Sequence, residues 1–196
     1  MTELNVHGSC GACGANLWRS GCYASTTSSS AGSCVSCPAN SQSVANTVKL
    51  SATACKCNAG YTGPDGGTCT ACEEGKYKPL TGSGTCTSCP AETYSPAASG
   101  PLTDCTCNAG YFGALGGPCT ACVAGKYRAW TTVSSVQSNC VHCDPGKYAL
   151  AAAGACLDCE VGKRAPDKGM GACIECEHGN RCRARISAIP CAAGEL

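Results

Sequence analysis

Large apolar side chains are scarce in this sequence. Nine Val, nine Leu, three Ile and one Phe are all that 196 residues contain, well under the roughly 20% below which an ordinary globular core is not expected. Disorder would follow if net charge were high, but the formal charge is only +1, so poor hydrophobicity is not coupled to self-repulsion. Fourteen Lys and Arg against thirteen Asp and Glu leave no polycationic face for nucleic acid. No apolar run is long enough to span a bilayer. The opening Met1-Thr2-Glu3-Leu4-Asn5 lacks the basic start and apolar core of a signal peptide. A secreted protein of this sequence is therefore expected to be a mature or excised piece of a longer chain.

Several chemistries are also missing. Gly and Pro interrupt the chain every ten residues or so, and no apolar period of 3.6 lasts beyond two turns, so no helix is predicted. There is no Gly-rich phosphate loop, no paired-carboxylate constellation and no Asn-x-Ser/Thr acceptor. The three histidines, His7, His142 and His178, stand far apart. A reactive C-x-x-C pair needs an activated thiolate, usually at a helix N-terminus. The expectation is a protein without catalytic residues, cofactor or bound metal.

What the sequence does have is cysteine. Its 23 residues outnumber Val, Leu, Ile and Phe together. A bridge that closes a loop of about 15 residues removes roughly 3 kcal/mol of denatured-chain entropy, and units of this size bury too little surface to fold without such help. A framework of this kind persists only in an oxidising compartment, which places the chain outside the cell or on its surface.

The cysteines are organised around the stretch from Cys72 to Cys119, whose members Cys72, Cys86, Cys89, Cys105, Cys107 and Cys119 follow the order C, C-x-x-C, C-x-C, C. An earlier copy runs through Cys22, Cys34, Cys37, Cys55, Cys57 and Cys69. After Cys122 the C-x-C half disappears, and Cys140-x-x-Cys143, Cys156-x-x-Cys159 and Cys173-x-x-Cys176 form a ladder, followed by Cys182 and Cys191. The segments are 1–21, a linker or the tail of a preceding unit, then units at 22–71, 72–121, 122–158 and 159–196, the last partial. Shortly after a C-x-x-C comes Gly-Lys-Tyr, at Gly75-Lys76-Tyr77, Gly125-Lys126-Tyr127 and Gly146-Lys147-Tyr148, with Gly162-Lys163-Arg164 as a variant. Glycine suits a turn of positive φ, and tyrosine can cover a disulfide while its hydroxyl stays wet. Between the cysteines there is room for short two-stranded hairpins. The polar run Ser25 to Ser30 suits a flexible loop or O-linked glycans.

The C-x-x-C-x-x-G-K-Y unit resembles the ephrin-receptor-like cysteine-rich repeat. The halves Cys55-x-Cys57-Asn58-Ala59-Gly60-Tyr61 and Cys107-Asn108-Ala109-Gly110-Tyr111 resemble the second half of an EGF-like module. The resemblance implies a small disulfide-rich, β-poor fold, an elongated tandem array of EGF-like and ephrin-receptor-like units in which each touches its neighbours. It implies a role in adhesion, ligand display or matrix assembly. EGF-like connectivity, carried over, implies Cys22–Cys37, Cys34–Cys55 and Cys57–Cys69, then Cys72–Cys89, Cys86–Cys105 and Cys107–Cys119. Continued along the ladder it implies Cys122–Cys143, Cys140–Cys156 and Cys159–Cys176. Cys10, Cys13, Cys173, Cys182 and Cys191 stay unassigned, and the odd total implies one cysteine bonded to another chain or to a flanking segment. The segments before Cys22 and Cys72 lack the acidic lead-in of calcium-binding EGF modules, so no calcium site is expected.

Zinc competes with this reading, because Cys69-x-x-Cys72 and Cys86-x-x-Cys89 form a possible four-thiolate set. The C-x-C pairs fit no zinc spacing, however. The functional expectation is an extracellular structural protein, a rod segment of a surface fibre, appendage or matrix, with other protein chains as partners. The alternative is a receptor or adhesin ectodomain for a protein or glycan ligand. Trp18 and Trp130 stand too far apart in sequence to announce an aromatic ligand site. With so few large apolar groups to offset about 1 to 2 kcal/mol per residue of backbone entropy, reduction in mild buffer is expected to abolish structure. Circular dichroism in excess reductant checks this, and a retained native spectrum would reveal a core independent of the cysteines.

Overall fold

A computed structural model describes residues 10–24, 29–43, 48–130, 139–176, 180–183 and 187–190. His7, His178, Cys191 and residues 25–28 of the polar run lie outside them. The chain forms two compact units, Met1–Cys89 with Ser95–Asp104, and Pro90–Tyr94 with Cys105–Leu196. Among the described residues there is no α-helix, only two short 3-10 turns and ten two-stranded antiparallel sheets.

The first unit begins with its longest hairpin, Leu17–Ala24 against Ser29–Ser36. Three hairpins of two-residue strands follow: Ser41–Gln42 with Lys56–Cys57, Tyr61–Thr62 with Thr70–Ala71, and Lys76–Tyr77 with Thr87–Ser88. The second unit holds Thr93–Tyr94 with Thr106–Cys107, Tyr111–Gly113 with Cys119–Ala121, and Lys126–Tyr127 with Val141–His142. It continues with Lys147–Tyr148 and Leu157–Asp158, Lys163–Arg164 and Ile174–Glu175, and Asn180–Arg183 with Ser187–Pro190.

A tight turn launches the first strand of each short hairpin. In Val123-Ala124-Gly125-Lys126 the Lys126 N–H donates to the Val123 carbonyl at 3.1 Å, with Gly125 at φ +84°. A turn of this kind needs positive φ at its third residue, and the glycines before Tyr61, Lys76, Tyr111, Lys147 and Lys163 all supply it. Asn40 and Glu92 occupy the same place at φ 59° and 60°.

The same glycine peptide joins one hairpin to the next. In the second unit the N–H groups of Gly110, Gly125 and Gly146 donate to the carbonyls of Arg128, Ala149 and Ala165, at 2.8, 2.8 and 2.7 Å. In the first unit Gly60 donates to Lys78 at 2.9 Å and Gly75 to Ser95 at 2.8 Å. The accepting residue always follows a first strand, and it is buried in all five cases. The glycine carbonyl accepts in turn from the cysteine that opens the following hairpin, as Cys143 N–H does from Gly125 at 3.0 Å. Sulfur therefore takes the place of an aliphatic core: the largest fully buried side chains are nearly all cysteines.

Beyond the first hairpin, which two disulfides tie to residues 10–13, the bridges close hairpins singly, which corrects the interlocked order implied by EGF-like connectivity. Cys72 bonds Cys86 and not Cys89, so Cys86 is not available to Cys105. Cys122 bonds Cys140 and not Cys143, Cys143 bonds Cys156 in place of Cys140, and Cys159 bonds Cys173 and not Cys176. At the start, Cys22 bonds Cys10 and not Cys37, while Cys34 bonds Cys13 and leaves Cys37 to Cys55. Residues 10–13 are thus tied to both strands of the first hairpin. Cys57–Cys69 and Cys107–Cys119 are common to both readings. Cys89, Cys105 and Cys176 are disulfide-bonded as well.

Strand length explains the correction. The two cysteines of a C-x-x-C bracket a two-residue strand, and at about 3.3 Å per residue their Cα atoms stand roughly 10 Å apart. A separation of that size lets the register of the hairpin bring one of them, and not the other, into the disulfide window of about 4.4 to 6.8 Å from the opening cysteine. The nearer one closes its own hairpin, with a Cα separation of 5.7 Å for Cys72–Cys86, and the farther one opens the next.

Charged side chains fill gaps that sulfur leaves. Buried Arg128 donates from Nη1 to the carbonyls of Tyr111 at 2.8 Å, Cys107 at 3.1 Å and Asn108 at 3.4 Å. Lys49, also buried, donates from Nζ to Ser43 Oγ at 3.1 Å and the Leu17 carbonyl at 3.2 Å.

Three substitutions test this packing in disulfide-intact protein, read from guanidinium unfolding by near-ultraviolet circular dichroism. A Cβ on Gly125 would lie 1.9 Å from the Gly169 carbonyl oxygen, whereas one on Gly162, at φ +86°, meets nothing within 4 Å. Gly162→Ala is expected to cost about 1 kcal/mol for its left-handed backbone, and Gly125→Ala a further 1 to 3 kcal/mol or so of overpacking. Equal losses at the two positions would contradict the stacking described. Arg128→Met removes the donor for three carbonyls and is expected to cost about 2 to 3 kcal/mol, a loss that a merely solvated arginine would not show.

Candidate interaction surface

Hairpins built of two-residue strands have two cross-strand pairs, one to each face, because successive side chains point opposite ways. One face carries the lysines of the Gly-Lys-Tyr motif. Lys76 lies opposite Ser88, Lys126 opposite His142, Lys147 opposite Asp158 and Lys163 opposite Glu175. The other face pairs Tyr77 with Thr87, Tyr127 with Val141, Tyr148 with Leu157 and Arg164 with Ile174.

Most lysines on the first face are neutralised within the chain. Lys76 Nζ lies 2.8 Å from Glu73 and Lys147 Nζ 3.0 Å from Asp158. Lys163 stands between two carboxylates, Glu160 at 3.7 Å and Glu175 at 3.6 Å. The hydrogen bond from Lys76, and then its charge, hold the Glu73 carboxyl below its ordinary pKa. These pairs are exposed, and such pairs add little stability. Their consequence is a face on which most of the charge is cancelled. Lys126 differs: at the position of Glu73 and Glu160 it has Val123, and opposite it has His142, so it makes no ion pair among the described residues. Lys78, one residue beyond Tyr77, is buried and donates to the Leu80 carbonyl at 2.6 Å. Burial pushes its pKa down, with the charge of Asp65 opposing.

On the second face of three hairpins in the second unit an aliphatic side chain stands exposed. Val141, Leu157 and Ile174, on three consecutive hairpins, are 51%, 53% and 42% exposed. The tyrosines opposite are half-buried, and their backbones bridge to the following hairpin, Tyr127 to Ala153 and Tyr148 to Met170. In the first unit the equivalent residue is Thr87. Trp130 is half exposed and packs edge-on against Tyr94, ring centroids 6.0 Å apart and planes at 81°.

A groove of about 320 Å³ lies beside Lys126, lined by Phe112, Thr120, Val123 and Asn139 among others. The sequence reading named the Gly-Lys-Tyr lysines but passed over the residues inside each C-x-x-C. There the signal was present, in Val141-His142, Leu157-Asp158 and Ile174-Glu175. The thiolates of the zinc alternative are disulfide sulfurs, Cys69 with Cys57 and Cys72 with Cys86, and Cys89 is bonded too.

Residues 60–105 match the family model described as "Tyrosine-protein kinase ephrin type A/B receptor-like". The comparison with curated proteins gave no match. The matched stretch takes in the hairpins of Tyr61–Thr62 and Lys76–Tyr77, where the C-x-x-C and the Gly-Lys-Tyr turn meet. Those residues are an ephrin-receptor-like cysteine-rich domain, and the chain that carries them is an extracellular tandem array of small disulfide-bonded hairpin units.

Proposed function

We propose that the chain is a structural segment of an extracellular assembly, a fibre, appendage or matrix component, and that it works by packing against other protein chains and not by catalysis. The observation that carries this reading is the pairing of the two faces in the second unit. Val141, Leu157 and Ile174 stand outward at successive repeats, while Lys147 and Lys163 on the opposite face are neutralised by the chain's own carboxylates. Covering one half-exposed aliphatic side chain is worth only about 1 kcal/mol. Repeats offer several such contacts at once, and linked weak contacts add by multivalency. Near-neutral surfaces also approach one another without long-range repulsion.

A second reading has its own support. Half-exposed Trp130 against Tyr94 is the sort of aromatic pair that anchors a ligand, which suits a receptor or adhesin ectodomain for a protein or glycan.

Sedimentation of the disulfide-intact chain separates the two. The assembly reading expects mass to grow with concentration and to survive high salt, since the contact is apolar. It expects Val141→Ser, Leu157→Ser and Ile174→Ser together to weaken association by more than about tenfold, and Trp130→Ala to leave it unchanged. A stable monomer that captures one soluble ligand, and loses it on Trp130→Ala, would establish the receptor reading instead.

A further inference from the structure

The ion pairs of the second unit are unevenly distributed. The hairpin of Lys163 has two carboxylates for one lysine, Glu160 and Glu175, at 3.7 and 3.6 Å. The hairpin of Lys126 has a lysine and no carboxylate paired with it among the described residues, because Val123 and His142 replace the acidic residues found at those positions elsewhere. One site has an acid to spare and another lacks one.

Apolar groups follow the same division. Val161, next to Glu160 in its turn, is 95% exposed, the most exposed large hydrophobic side chain described. Beside Lys126 lies the groove of Phe112, Thr120, Val123 and Asn139, with a volume of about 320 Å³, ample for a valine side chain with a carboxylate next to it. The turn is a protruding apolar knob flanked by an anion, and the groove is an apolar recess flanked by a cation.

We infer that the Glu160-Val161 turn of one copy docks into the Lys126 groove of a second copy, with Val161 against Phe112 and Val123 and Glu160 replacing the carboxylate that Lys126 lacks. This rests on the assembly reading and adds to it a second, directional contact, separate from that of Val141, Leu157 and Ile174. Glu160 can leave Lys163 at little cost, because Glu175 remains beside that lysine and exposed pairs are weak. Knob and groove are different surfaces of the same chain, so the contact is heterologous. Each bound copy still presents a knob at one place and a groove at another, and such a contact propagates into an open chain of subunits unless a rotation closes it. The pairing of opposite charges fixes which surfaces meet, and like charges placed there oppose the contact.

The experiment is a charge exchange between copies, read by sedimentation equilibrium of the full disulfide-bonded chain at low salt. Lys126→Glu alone sets two carboxylates against each other at the contact, and Glu160→Lys alone sets lysine against lysine. Each variant is expected to associate at least about tenfold more weakly than the unaltered chain. Mixed in equal amounts, the two variants can pair a native knob with a native groove and a reversed knob with a reversed groove, and association is expected to recover to well above that of either variant alone. Val161→Asp is expected to weaken association of the otherwise unaltered chain, and an unchanged circular dichroism spectrum shows that the surface changes leave the fold intact. If the unaltered chain assembles while both charge variants match it, or while the mixture does no better than its parts, this contact is wrong and the assembly reading stands. If the unaltered chain is monomeric at every concentration, both fall.

Discussion

The short hairpins between Cys37 and Cys176 depend on the disulfides that close them. A pair of two-residue strands makes too few hydrogen bonds to offset the loss of chain entropy, and isolated two-stranded hairpins are marginal even when much longer. Bridges here span sequence separations of 12 to 21 residues, a range in which closing the loop removes roughly 3 kcal/mol of denatured-chain entropy per bond. The sulfur atoms are also the interior. Because Cys57, Cys72, Cys107, Cys122, Cys143 and Cys159 are fully buried, the same atoms that restrict the unfolded chain exclude water from the folded one. That double role accounts for a stable fold with one Phe and three Ile.

Cross-links alone would leave the hairpins as beads. Coupling between neighbours comes from the turn peptide, whose N–H and C=O both bond to the following hairpin. The turn must also let the hairpin beyond that one approach closely. A Cβ on Gly110 would stand 2.1 Å from the Ala152 carbonyl oxygen, on a loop two hairpins further along. The residue that receives the turn's N–H is buried whatever its chemistry. Ala149 and Ala165 meet the requirement by being small, while Lys78 and Arg128 meet it by donating to backbone carbonyls. A backbone constraint thus tolerates both extremes of side-chain character at one position.

That tolerance sets what could be read from the sequence. Gly75, Gly125 and Gly146 were legible as positive-φ turns because few other residues take that conformation, yet Asn40 and Glu92 hold the same place without glycine and carried no such mark. Short hairpins and the absence of α-helix among the described residues followed from the punctuation by Gly, Pro and Cys. Pairing did not, because order along the chain is compatible with many connectivities, and the choice rests on the length of a strand, which spacing alone leaves open. Nothing next to Tyr127 announces that Arg128 is buried, since burial there comes from the neighbouring hairpin. That Lys126 makes no ion pair among the described residues was legible in principle, in Val123 and His142 standing where Glu73, Glu160, Asp158 and Glu175 stand elsewhere.

Cysteines and turn glycines carry the fold, so the two residues enclosed by each C-x-x-C from Cys69 onward are left free of structural duty. They form the second strand of the hairpin, one side chain to each face, and neither needs to be buried. Thr87-Ser88, Val141-His142, Leu157-Asp158 and Ile174-Glu175 hold the same backbone with different surfaces. A substitution there changes what the repeat displays without changing how it folds, whereas a substitution at the opening cysteine or the turn glycine does the reverse. Surface identity in such a chain is therefore written in the interior of its C-x-x-C motifs and in the residues just after each opening cysteine. At Val123 and Val161 those positions carry apolar side chains that stand exposed among the described residues.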